Sequence, residues 1–139
     1  MKFSFIKNNT NLQFTPINSG EVEQVEEDLD IAFPNELKVF LKEIGYGSFI
    51  GEEELDENCI LSPSLIRDFR LRKGYFETYP NYDEKNKLIF FIGWESVPFS
   101  IELTEEEHSP IYNNQKQVAN SLEEFLLNIS EVPEYYQPD

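Results

Sequence analysis

The clearest pattern of apolar and polar positions runs through Phe33-Pro34-Asn35-Glu36-Leu37-Lys38-Val39-Phe40-Leu41-Lys42-Glu43-Ile44, where Leu37, Phe40, Leu41 and Ile44 fall at i, i+3, i+4 and i+7. That spacing lines one face of an α-helix. Pro34 suits the first helical position, where a missing N–H removes no bond, and Gly45 suits the position just past the end, where φ is often positive. Lys38 and Lys42 fall away from the apolar face, Lys42 near the negative end of the helix dipole. This helix is expected to be the piece the rest of the fold packs against. Leu122, Phe125, Leu126 and Ile129 repeat the same stripe, opened by Ser121 and Glu124 as a capping box. A thinner stripe of Val22, Val25 and Leu29 follows Ser19 as an expected N-cap. Ser62-Pro63 opens a fourth helix by the same cap-then-proline logic. Leu65, Ile66 and Phe69 form its inner face, Arg67, Arg70, Arg72 and Lys73 its outer face, and Gly74 its stop.

Strand patterns occupy the stretches between. The continuous apolar run 88–92 predicts a central strand. Val97, Phe99, Ile101 and Leu103 alternate with polar positions and with Pro98, which belongs at a strand start or on an edge because it donates no ladder bond. Ile111-Tyr112 and Gln117-Val118-Ala119 flank Asn113-Asn114 as a hairpin. Residues 1–15 suggest an edge strand or hairpin. The acidic run Glu52-Glu53-Glu54-Leu55-Asp56-Glu57 reads as an exposed loop, as does Thr104-Glu105-Glu106-Glu107-His108-Ser109, and residues 131–139 as a loose tail. With no internal repeat and no linker, the expectation is a single α+β domain over 1–139.

Composition adds limits. A chain of 139 residues with 40% hydrophobic and 14% aromatic residues can build a core, burying roughly 70% of its unfolded surface. No apolar run approaches the roughly 20 residues that span a bilayer, and the first residues are too polar for a signal peptide. The single cysteine, Cys59, rules out an intrachain disulfide and suits a reducing compartment, so the cytoplasm is expected. Asp and Glu number 27 against 11 Lys and Arg, a net charge of −16. Such a field repels a phosphate backbone and attracts a basic protein; it also keeps a protein soluble whatever its partner.

Little in the chain points to catalysis. His108 is the only histidine, and beside three glutamates it lacks the ligand spacing of a zinc site. Cys59 lies among apolar neighbours, as a structural thiol does. No EF-hand loop and no phosphate-cradling glycine loop is present. The expectations are therefore no enzyme activity, no metal and no cofactor. Trp94 follows Gly93 in a turn and Tyr46 lies between two glycines; each suits a partner-binding anchor or a lid on the core edge. The Arg67–Lys73 face reads as a solvated helix face or as a self-association surface, hence a monomer or a weak homodimer.

The order of these parts resembles a known family. An acidic helix runs into Ile31-Ala32-Phe33-Pro34-Asn35-Glu36-Leu37, then Phe40-Leu41, then a glycine-flanked break, and the chain closes on Ser121-Leu122-Glu123-Glu124-Phe125-Leu126. This is similar to the SUKH superfamily, the domain of the fungal cell-wall-synthesis regulators, over about residues 19–129. Tyr46 splits the paired glycines that usually follow the helix. The resemblance implies a twisted, mainly antiparallel sheet with helices packed against it and no catalytic apparatus. It implies, for the bacterial branch, an immunity protein that binds a cognate polymorphic toxin, often a nuclease, and occludes its active site. The alternative it implies is a regulatory scaffold of the cell-wall-synthesis-regulator type. On the first reading the toxin domain is basic. The candidate contacts are Glu52, Glu53, Glu54, Asp56, Glu57, Glu105, Glu106 and Glu107, standing in for the anions a nuclease expects, with Tyr46 and Trp94 as anchors.

Overall fold

The computed structural model describes residue 3 and residues 13–48, 59–73, 86–93, 97–113 and 116–131. In chain order these form β1 (Gln13–Thr15), α1 (Glu21–Leu29), α2 (Asn35–Glu43), β2 (Tyr46–Ser48), β3 (Cys59–Ile60), α3 (Pro63–Leu71), β4 (Lys87–Ile92), β5 (Pro98–Glu102), β6 (Ile111–Asn113), β7 (Lys116–Ala119) and α4 (Leu122–Glu131). Among the described residues the strands make one seven-stranded sheet in sequence order, each pair antiparallel. The α+β expectation is met, and the 88–92 run lies in the middle strand of the sheet.

Cross-strand pairing explains where the helices sit. Phe14, Gly47, Ile60, Phe91 and Phe99 are successive Cα partners across five strands, so their side positions share one face. The α2 ring of Phe40 meets Phe14 edge-on at 5.7 Å and Phe3 at 5.0 Å. The α4 ring of Phe125 meets Phe91 at 4.9 Å and Phe99 at 5.3 Å. A register shift between Ile89 and Phe91 leaves Phe90 as an extra residue opposite β5, the count of a β-bulge. Phe90 thereby also reaches Phe125, at 6.0 Å. Leu37, Phe40, Leu41, Leu122, Phe125, Leu126 and Ile129 are all fully buried, so both strong helical stripes are core.

Helix boundaries differ from the sequence reading by a residue or so. Pro34 is the N-cap of α2 rather than its first residue. Gly20, not Ser19, is the N-cap of α1, in the left-handed region at φ 83°. No side chain caps α1; the Glu21 carboxylate instead accepts the Asn18 N–H of the preceding turn at 3.2 Å. Ser62 caps α3 as expected, its hydroxyl accepting the Leu65 N–H at 3.2 Å. Leu65 itself is 41% exposed and Ile66 and Phe69 carry the inner face. Helix α3 stops at Arg72, held in the left-handed region, ahead of Gly74. Gly45 follows α2 at φ 110°, and a Cβ there would collide with the Thr15 carbonyl of β1. That close approach, as well as the turn, requires glycine.

Candidate partner-binding surface

Glu36 is the residue on which the site is built. It lies in the first turn of α2, yet it is only 2% exposed. Its carboxylate accepts backbone N–H bonds from Ser109 at 3.3 Å, Leu122 at 3.0 Å and Glu123 at 3.3 Å. Leu122 and Glu123 open α4, so Glu36 satisfies N–H groups that have no partner within that helix and sits at its positive end. Ser121 adds the local cap, its hydroxyl accepting the Glu124 N–H at 3.1 Å, while the Glu124 carboxylate takes the Asn120 N–H at 2.6 Å. His108 Nδ1 lies 3.4 Å from Glu36 Oε2, with the imidazole half exposed.

The same helix end holds the acidic loop between β5 and β6. The Asn35 amide donates to the carbonyls of Glu105 and Glu106, each at 3.3 Å. Thr104 Oγ1 accepts the Glu106 N–H at 2.8 Å. The loop backbone is thus fixed at both ends to α2, while Glu105, Glu106 and Glu107 are exposed. Sequence reasoning assigned these three glutamates to an acidic contact but missed Glu36, whose partners lie 73 to 87 residues away along the chain.

Most of the described cations, by contrast, are engaged within the chain. Lys38 Nζ reaches Glu26 at 3.2 Å and Glu23 at 3.8 Å, and Lys42 also bonds Glu23, bridging α2 to α1. The Lys42 ammonium holds the Glu23 carboxyl below its ordinary range. Arg67 bonds Asp28 of α1 at 3.2 Å, which raises its pKa further, and Asp68 at 3.3 Å. Arg70 donates to the Lys87 carbonyl of β4, and Arg72 donates to the Phe69 carbonyl and lies 4.7 Å from the centre of that ring. The face read as solvated or self-associating is therefore largely engaged within the chain, with Lys73 exposed beyond it. Lys87 is buried, its ammonium 4.1 Å from the centre of the Tyr112 ring. Tyr112 donates to Glu102 at 3.2 Å, and burial, then that carboxylate, pushes its phenol upward.

The remaining sequence candidates are dispersed. Tyr46 begins β2, half-buried and packed against the core. It lies past the far end of α2 from Asn35, about 14 Å of helix away, so it does not join the acidic loop. Glu52, Glu53, Glu54, Asp56, Glu57 and Trp94 lie outside the described residues. No group of three or more His, Cys, Asp or Glu among the described residues could hold a metal, and no described helix is long and apolar enough to cross a membrane.

Comparison with known proteins bears on the whole of this architecture. The protein called immunity protein YxxD from Bacillus subtilis (strain 168) is 48% identical over 141 residues, covering 98% of this chain and 95% of that protein. The family model SUKH_6, described as SMI1-KNR4 cell-wall, matches residues 19–126. That span runs from the turn before α1 to the buried stripe of α4 and takes in Glu36, the loop it holds and the helix it caps. The chain belongs to the SUKH family.

Proposed function

We propose that this chain is an immunity protein: a non-enzymatic binder that neutralises a cognate toxin by covering its active site. The observation that carries the reading is the near full-length 48% identity to a protein named as an immunity protein. The charge arrangement supports it. With Lys38, Lys42, Arg67, Arg70, Arg72 and Lys87 engaged internally, the outward field of a chain with net charge −16 is strongly anionic. A basic toxin domain is steered toward such a surface, and a nuclease, built to hold phosphates, is the chemistry that matches it best. Glu105, Glu106 and Glu107 are the described contacts on this reading, with Glu52, Glu53, Glu54, Asp56, Glu57, Tyr46 and Trp94 as further ones. The protein acts in the cytoplasm of the producing cell, as a monomer or weak homodimer. The family description, cell-wall, favours a regulatory scaffold as the second reading.

The test is growth. A bacterium expressing a cognate toxin domain, sought in the gene beside the one for this chain, is expected to recover when this chain is co-expressed. Unchanged killing, with both proteins present in soluble form, would overturn the immunity reading in favour of the scaffold.

A further inference from the structure

Helix α2 has three flanks, and two are occupied. Leu37, Phe40 and Leu41 face the core. Lys38 and Lys42 reach α1. The third flank is the line Glu36, Val39, Glu43, spaced i, i+3 and i+7. Glu36 turns inward to the acidic loop and α4, whereas Val39 is 41% exposed and Glu43 is exposed. Charge divides along the same line. On the α1 side, Glu23, Glu26 and Asp28 are each paired with a lysine or arginine, while Glu21, Glu27 and Asp30 have no such partner among the described residues. On the other side, Glu43, Glu105, Glu106, Glu107 and Glu123 have no lysine or arginine partner among the described residues.

We propose that the partner docks on this third flank of α2 together with the Glu105–Glu107 loop, and that its complementary surface is basic around an apolar contact for Val39. The proposal rests on the immunity reading and specifies the face that serves it. Charge complementarity selects the occupant: among the described residues Glu43, Glu105, Glu106, Glu107 and Glu123 all lack a lysine or arginine partner, whereas half of the carboxylates on the α1 face are paired within the chain. An exposed aliphatic residue with acids around it has the apolar-centre, polar-rim layout of a specific interface. The loop backbone is already held by Asn35 and Glu36, so docking orders little that is loose, which favours affinity. Val39 then acts on dissociation and the loop acids on association.

The experiment is surface plasmon resonance at two salt concentrations. The probe is the purified toxin domain used in the growth test, and each variant of the full chain is first checked for an unchanged melting curve. Replacing Glu105, Glu106 and Glu107 together by Gln is expected to slow association about tenfold at low salt and to flatten its salt dependence. Val39→Glu is expected to raise the off-rate about tenfold. The control pair Gln24→Lys with Glu27→Lys makes the same change in charge, on α1, and is expected to alter both rates less than about twofold, because the α1 face lies outside the contact. If the α1 pair weakens binding as much as the loop triple, or if Val39→Glu and the loop triple leave both rates unchanged, the face is wrong while the immunity reading stands. If the unaltered chain does not bind the probe at all, the immunity reading fails and the face falls with it.

Discussion

Glu36→Ala is expected to lower the unfolding free energy by about 3 kcal/mol, because three backbone N–H groups lose a charged acceptor in a site without water access and α4 loses part of its cap. The acceptor is 2% exposed, and its donors, the N–H groups of Ser109, Leu122 and Glu123, come from two different segments. The loss is therefore a disconnection as well as a deletion: the first turn of α4 comes away from α2, and the β5–β6 loop keeps only its tie to Asn35. Glu36→Gln keeps an oxygen acceptor without the charge and should cost about half as much, since hydrogen bonds to charged groups are roughly twice as strong as neutral ones. Urea unfolding checks both values. Hydrogen exchange at Ser109, Leu122 and Glu123 should quicken before global unfolding in Glu36→Ala. A change below about 0.5 kcal/mol, the scatter of surface substitutions, would place Glu36 in solvent and remove its role as the joint.

Phe125→Ala is the second large effect, expected to cost about 3–5 kcal/mol. Phe125 is fully buried, and its ring meets Phe90, Phe91 and Phe99 at 6.0, 4.9 and 5.3 Å. Truncation leaves a cavity bounded by the bulge of β4, by β5 and by α4 itself. Phe125→Leu fills most of that space and should recover more than half of the loss, because the cavity left is smaller. Differential scanning calorimetry of the two variants separates cavity cost from any loss of the α4 cap, which Phe125→Ala leaves intact.

How much of this was legible follows from the range of each interaction. The stripes of α2 and α4, the Ser62-Pro63 cap, the central strand and the hairpin around Asn113 are set by residues within a turn or a pleat of one another, and the structure has them where periodicity put them. The inner position expected for Leu65 failed because a nine-residue helix resting on a twisted sheet buries a narrow stripe, here Ile66 and Phe69. The engagement of Arg67, Arg70 and Arg72 was missed for a different reason: their partners are Asp28, Asp68 and the backbone of β4 and of α3's own last turn, and only the two acids are residue types a sequence displays. Glu36 is the extreme case. In sequence it is one acid among 27, near a helix N-terminus where any acid is welcome, and nothing local distinguishes it from Glu21. Its burial comes from segments 73 to 87 residues further along the chain. The acidic loop was legible as exposed, but its rigid seating on Asn35 and Glu36, which matters for binding, was not.

The central claim is that this chain neutralises a toxin by stoichiometric binding over the active site. It is tested most directly by titrating the purified chain into the purified toxin domain of the growth test while following that domain's activity on its own substrate, at low and at high salt. The account predicts that activity falls linearly to near zero at one equivalent, with a weaker end-point at high salt as the anionic surface is screened. Activity that is untouched by excess chain, or that declines only without forming a saturable complex, would contradict it.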